Sequence, residues 1–175
     1  GISTLTDPER YGLTLVLGGG EVRLLELTGG YGAFANDGLF SPATAILRVE
    51  DARGKVLEEY QDKKTQVIAP GIARIISSIL SDNAARAPLL GPTSPLYFPD
   101  RPVAAKTGTT NDSRDAWVIG YTPNVVAGVW AGNNDNSPME KKVAGLIAAP
   151  MWHAFMEEVL KDLPVEAFVP PSVSR

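Results

Sequence analysis

Six residues that interrupt regular structure, Pro88, Gly91, Pro92, Pro95, Pro99 and Pro102, crowd the segment 84–102 and divide the chain in two. A proline removes a backbone donor and clashes with a helix that would continue through it. No regular element is expected to cross this segment, which reads as a surface loop delivering the chain to its second half. Before it, apolar residues recur at helical spacing; after it, they come in short β-type runs.

Ahead of the breakers, residues 21–36 carry Leu24, Leu27, Tyr31 and Phe34 on one stripe with Val22 and Leu25 beside it, and Asn36-Asp37-Gly38 supplies a stop. This predicts a largely buried helix. Gly18-Gly19-Gly20 in front of it lacks the Lys-Ser/Thr of a phosphate loop and reads as a plain turn, with no nucleotide expected. Ala45 to Val49 and Val56 to Tyr60 flank the turn-forming Asp51-Ala52-Arg53-Gly54 and predict a hairpin. Pro70 then opens a segment with Ile72, Ile75, Ile76, Ile79 and Leu80 at the spacing of a one-faced amphipathic helix.

Beyond the breakers, Val103 to Thr110, Asp115 to Tyr121 and Val125 to Ala131 read as consecutive antiparallel strands, the last two joined by Thr122-Pro123-Asn124. Trp152, Phe155, Met156, Val159 and Leu163 predict a closing amphipathic helix from Pro150 to Pro164, with a tail or linker over 164–175. Helices, then strands, then a helix imply an α/β fold of the layered α+β kind, an antiparallel sheet flanked by helices. At 175 residues and 44% hydrophobic, the chain has enough apolar material for one core.

A net charge of -4 with no long basic run argues against nucleic acid. The absence of cysteine excludes disulfides and thiolate-bound metals. No stretch approaches the roughly 20 apolar residues that span a bilayer, so no membrane contact is expected of these residues.

The chemistry lies in Lys106-Thr107-Gly108-Thr109-Thr110 on the first of the late strands. Strand alternation places Thr107 and Thr109 on one side and Lys106 on the other, and Gly108 leaves room for a ligand. Hydroxyl donors, an ammonium and the backbone of an edge strand together suit a peptide bearing a carboxylate. The other candidates have plainer readings. His153, in step with Glu157 and Lys161, reads as a solvated helix face. Trp117 and Trp130 read as cross-strand packing. Asn133 to Asn136 reads as a turn and not a calcium loop. Arg114-Asp115 either orients Thr110 or Asn111 or forms a surface pair.

K-T-G is a motif of penicillin-binding proteins and class A β-lactamases. Its surroundings, LGGGEV (17–22), LELT (25–28), YGAFAN (31–36), RDAW (114–117), GYTP (120–123) and GVWAGNND (128–135), resemble class A penicillin-binding proteins, from Gly1 to about Leu163. The resemblance implies the C-terminal portion, residues 1–163, of a penicillin-binding transpeptidase domain with a β-lactamase-like fold that is incomplete here. It implies that Lys106, Thr107, Gly108, Thr109 and Thr110 bind the substrate carboxylate. Lys106 and the backbone N–H of Thr109, an oxyanion donor, are the implied catalytic groups, with Asp115 and Trp117 behind them. The implied partners are peptidoglycan stem peptides, β-lactams and the missing N-terminal half of the same domain, at the extracytoplasmic face of the bacterial cytoplasmic membrane. No metal or other cofactor is implied.

That family's nucleophile is the serine of S-x-x-K, and no serine of this chain has a lysine three places on. Ser81-Asp82-Asn83 spells the family's S-x-N but falls in the wrong place, and is read as a helix terminator. A serine DD-transpeptidase whose parent is also a glycosyltransferase is therefore expected, with this fragment inactive alone. The alternatives are a non-catalytic penicillin-fold binding module and a β-lactamase or carboxypeptidase hydrolase.

Overall fold

The structure is a computed structural model that describes residues 1–139 and 144–172. Its centre is a three-stranded antiparallel sheet of β5 (Ala104–Thr109), β6 (Asp115–Tyr121) and β7 (Val126–Gly132), in the order β5-β6-β7. These strands lie within a residue of their sequence-predicted bounds, because turn-forming residues close each run. Thr122 Oγ1 accepts from the backbone N–H of Asn124 and of Val125 and tightens the β6–β7 turn.

Alternation gives each sheet face its own cover. On one face Ala105, Ala116, Val118 and Ala127 pack with Ala148, Ala149, Trp152, Met156 and Leu160 of helix α5 (Ala144–Leu160). Trp152 is fully buried, and its indole N–H donates to the Ala127 carbonyl at 3.1 Å. α5 begins before Pro150 and not after it, so Pro150 lies inside the helix; Phe155 turns outward, and the buried stripe is Trp152, Met156 and Leu160. Burial of this stripe outweighs the one helix bond that Pro150 forfeits.

The opposite face carries α2 (Leu24–Ala35) and α3 (Pro70–Ser81). α2 approaches β7 so closely that a Cβ on Gly128 would sit 2.2 Å from Thr28 Oγ1. The expected largely buried helix is only half-buried: Ala33 is enclosed, while Leu25 stands out in solvent. α3 forms as its period predicts, but three of its five large apolar residues face outward, with Ile76 and Leu80 half-buried. Ile72, Ile75 and Ile79 are 56%, 48% and 62% exposed, and the side against the sheet is Ala73 and Ser77. Ser77 Oγ lies 3.0 Å from the Tyr121 hydroxyl, whose pKa is raised by burial.

The segment 84–102 is not a surface loop. Asp82 ends α3 and caps helix α4 (Asn83–Leu90), its side chain accepting from the Ala85 N–H, so Ser81-Asp82-Asn83 does terminate a helix. α4 continues through Pro88. Leu96 and Phe98 then enter the core. The Arg86 guanidinium anchors the segment with bonds to the carbonyls of Leu80, Leu96 and Val103. His153 is half-buried and not wholly on a solvated face: Nδ1–H donates to the Pro95 carbonyl at 2.8 Å and the ring lies 4.4 Å from that of Phe98, while Nε2 faces Glu157 at 3.3 Å.

The expected hairpin is present as β2 (Arg48–Glu50) and β3 (Val56–Glu59), with Asp51 Oδ1 accepting from the Arg53 and Lys55 amides. A second pair, β1 (Leu39–Phe40) with β4 (Thr65–Gln66), a short helix α1 (Pro8–Tyr11), and 3-10 helices at Gly12–Leu17 and Asn111–Ser113 are the remaining elements among the described residues. Residues past Leu163 return to the far end of the sheet, where Phe168 packs edge-on against Tyr121 and Glu166 accepts from Asn124 Nδ2–H. No helix among the described residues is long and apolar enough to cross a membrane.

Candidate functional site

β5 emerges from the core as it runs. Ala104 and Ala105 are buried, Lys106 is exposed, Thr107 and Gly108 are half-buried, and Thr109 and Thr110 are exposed. The strand has a neighbour on one side only, since β6 is its sole partner among the described residues.

Register gives the direction of each backbone group. Thr110 N–H donates to the Asp115 carbonyl at 3.1 Å, and Thr109 lies opposite Ala116, Gly108 opposite Trp117, Thr107 opposite Val118. In an antiparallel ladder, bonded and non-bonded pairs alternate. Gly108 and Lys106 therefore bond to β6, while the amides and carbonyls of Thr107 and Thr109 point to the outer edge. The Lys106 ammonium folds over that edge and donates to the Thr107 carbonyl at 2.7 Å. The Thr107 and Thr109 side chains share the α5 face of the sheet, and Lys106 lies on the α2/α3 face, as alternation predicts.

All five motif residues are thus collected along one open strand end. Asp115 joins them: Oδ2 accepts from Thr110 Oγ1–H at 2.8 Å, and the Asp115 N–H donates back to Thr110 Oγ1 at 2.8 Å. Of the two readings left open for Arg114-Asp115, Asp115 orients Thr110, and Arg114 reaches instead to the Asn136 carbonyl. Trp117 sits opposite Gly108 on one side and Trp130 on the other. Sequence reasoning assigns Trp130 to packing, but its Nε1–H also donates to Asp115 Oδ1 at 2.8 Å. The signal for this bond is the short β6–β7 turn, which fixes the register and so places Trp130 diagonally across from Asp115.

Two hollows lie away from this strand. One, of about 260 Å³, is bounded by Asp37, Arg74, Ser77, Glu166 and Phe168. The other, of about 340 Å³, is bounded by Ser94, Tyr97, Pro150, His153 and Glu157. No group of three or more His, Cys, Asp or Glu side chains able to hold a metal occurs among the described residues. Asn133 to Asn136 forms a turn, with Asp135 Oδ1 accepting from the Ser137 amide and hydroxyl.

An antiparallel sheet layered between helices, with an open K-T-G edge strand, defines the penicillin-recognising class of fold. The model of the penicillin binding protein transpeptidase domain matches residues 14–157, and the chain belongs to that family. It is 36% identical over 165 residues to penicillin-binding protein 1A of Aquifex aeolicus, covering 90% of this chain and 22% of that protein. It is also 36% identical over 163 residues to penicillin-binding protein 2D of Bacillus subtilis, covering 90% and 23%. Among solved structures, PonA1 of Mycobacterium tuberculosis in complex with penicillin V superposes with a TM-score of 0.81 at 26% identity, covering 92% of this chain and 44% of that one. The chain thus spans less than a quarter of the length of these curated relatives.

Proposed function

We propose that the chain is the C-terminal portion, residues 1–163 followed by a tail or linker, of a peptidoglycan DD-transpeptidase domain, and that it supplies the substrate-recognition strand while the nucleophile lies outside it. In this reading a serine in S-x-x-K attacks the carbonyl of the penultimate D-alanine of a stem peptide. An ester forms, the terminal D-alanine leaves as the free amino acid, and the amine of a neighbouring stem peptide displaces the serine to form the cross-link. Thr107 and Thr109 with Lys106 hold the terminal carboxylate. The Thr109 N–H stabilises the oxyanion, Gly108 keeps the approach clear, and Thr110, Asp115 and Trp117 support the strand.

The parent protein acts at the extracytoplasmic face of the bacterial cytoplasmic membrane and also carries a peptidoglycan glycosyltransferase. β-Lactams enter the same site as mimics of the stem peptide, and no metal or other cofactor takes part. The observation that supports the reading best is the edge position of β5, which pairs with β6 on one side and turns its Thr107 and Thr109 backbone groups to the other. Such an edge accepts an extended peptide as an added strand.

The test is the rate of penicillin acylation in a chain extended upstream through the serine motif. Thr107→Val deletes one donor to a charged group and is expected to slow acylation roughly tenfold to a hundredfold. An unchanged rate would remove Thr107 from carboxylate recognition.

A further inference from the structure

Immediately after β5 the chain makes a tight return to β6. Asp112 and Ser113 take φ values of 59° and 56°, a left-handed conformation that non-glycine residues hold only when their surroundings enforce it. Asp115 closes this return onto Thr110. Its Oδ2 takes the Thr110 hydroxyl proton, its amide donates to the same hydroxyl oxygen, and its carbonyl accepts the Thr110 N–H. Thr110 is the residue directly after the proposed oxyanion donor, so its placement fixes the peptide plane carrying the Thr109 carbonyl and, through it, the end of β5.

Asp115 is itself held from the third strand. It lies opposite Gly132 of β7, and Trp130, two residues before Gly132, extends its indole diagonally so that Nε1–H meets Asp115 Oδ1. A side chain at Gly132 would block this, since a Cβ there would sit 2.7 Å from Trp130 Cζ2 and 2.9 Å from the Arg114 carbonyl. The bare position opposite the carboxylate and the indole lying across it form one device. Both Asp115 oxygens are occupied, and each bond runs to a different strand or turn.

We infer that Asp115, clamped by Trp130 across Gly132, is a positioning residue for the recognition end of β5, transmitting the rigidity of the sheet to Thr109 and Thr110. This rests on the transpeptidase reading above. The clamp should act on the acylation step more than on initial encounter, because it holds the strand end that carries the Thr109 N–H and not the surface a ligand first meets. A misplacement of about 1 Å near the reacting atoms costs on the order of a hundredfold, and partial loosening should cost less.

The experiment separates the noncovalent binding constant of a penicillin from its acylation rate constant in the upstream-extended chain. Asp115→Ala is expected to slow acylation at least about tenfold, and Trp130→Phe, which keeps an aromatic ring and loses the N–H, about threefold, with little change in the binding constant. Thr110→Ser, which keeps the hydroxyl that bonds Asp115, should be acylated faster than Thr110→Val, which loses it. In parallel, amide hydrogen exchange on the 175-residue chain should show Thr110 losing protection in Trp130→Phe while β6 and α5 amides keep theirs.

Native acylation and native exchange in Trp130→Phe would overturn the inference. So would uniform loss of protection across β6 and α5, since Trp130 would then be holding up the fold as a whole. An extended chain that is never acylated overturns the transpeptidase reading, and the exchange data then decide the clamp on their own.

Discussion

The helices on the two faces of the sheet are attached in opposite ways. α5 lays Ala148, Ala149, Trp152, Met156 and Leu160 into a continuous apolar layer with the strands. α3 has an equally regular apolar period, yet turns Ile72, Ile75 and Ile79 away and meets its neighbours through Ala73, Ser77 and Arg74. Its attachments are polar: the Arg74 guanidinium donates through Nε and Nη2 to both oxygens of Asp37 at 3.1 and 2.7 Å, and Ser77 donates to the Phe34 carbonyl. A period of 3.6 residues states that a helix forms and has an apolar side. It does not state that this chain covers that side.

The contrast is broken most forcefully at Trp152. Trp152→Ala removes a fully enclosed side chain together with its indole bond to the Ala127 carbonyl, and should destabilise the protein by about 3–5 kcal/mol. Chemical denaturation would read this directly, and a loss below about 1 kcal/mol would mean that the α5 layer is not the main source of stability.

A smaller effect is expected where α2 and α3 meet. The hydrogen bonds from Arg74 hold the Asp37 carboxyl below the usual aspartate range, against an opposing contribution from burial. A carboxyl with a lowered folded pKa contributes stability that is fully present above the unfolded value and is lost as pH falls through the folded one. The melting temperature of the native chain should therefore exceed that of Asp37→Asn near pH 7, and the gap should close as pH drops below about 3.9. A gap that widened on acidification would give the pair the opposite sign.

The smallest effect belongs to the outward stripe of α3. Ile75→Ser should change the stability of this chain by no more than about 0.5 kcal/mol. A loss comparable to that of Trp152→Ala would show the stripe to be covered in solution.

Legibility in the sequence divides along the same line. β5, β6 and β7 can be placed nearly to the residue, because alternating runs bounded by Asp, Pro and Asn have few other solutions, and the K-T-G motif needs only its strand to be located. The hidden parts depend on contacts distant in sequence. Arg86 reaching the Leu96 and Val103 carbonyls turns a proline-rich stretch inward, and His153 bonding to the Pro95 carbonyl joins that stretch to α5. Pro88 and Pro150 read as barriers to helices, yet each lies inside one. At the site, the five motif residues and Asp115 are readable, whereas the part played by Trp130 requires the β6–β7 register.

In the proposed function this chain holds the recognition strand without the nucleophile. Intact mass after exposure to a fluorescent penicillin tests that most directly, with the 175-residue chain beside one extended upstream through the whole domain. A single covalent adduct is expected on the extended chain and none on the shorter one. An adduct on the 175-residue chain would mean that a nucleophile lies within it, contradicting the account, and no adduct on either would contradict the transpeptidase assignment itself.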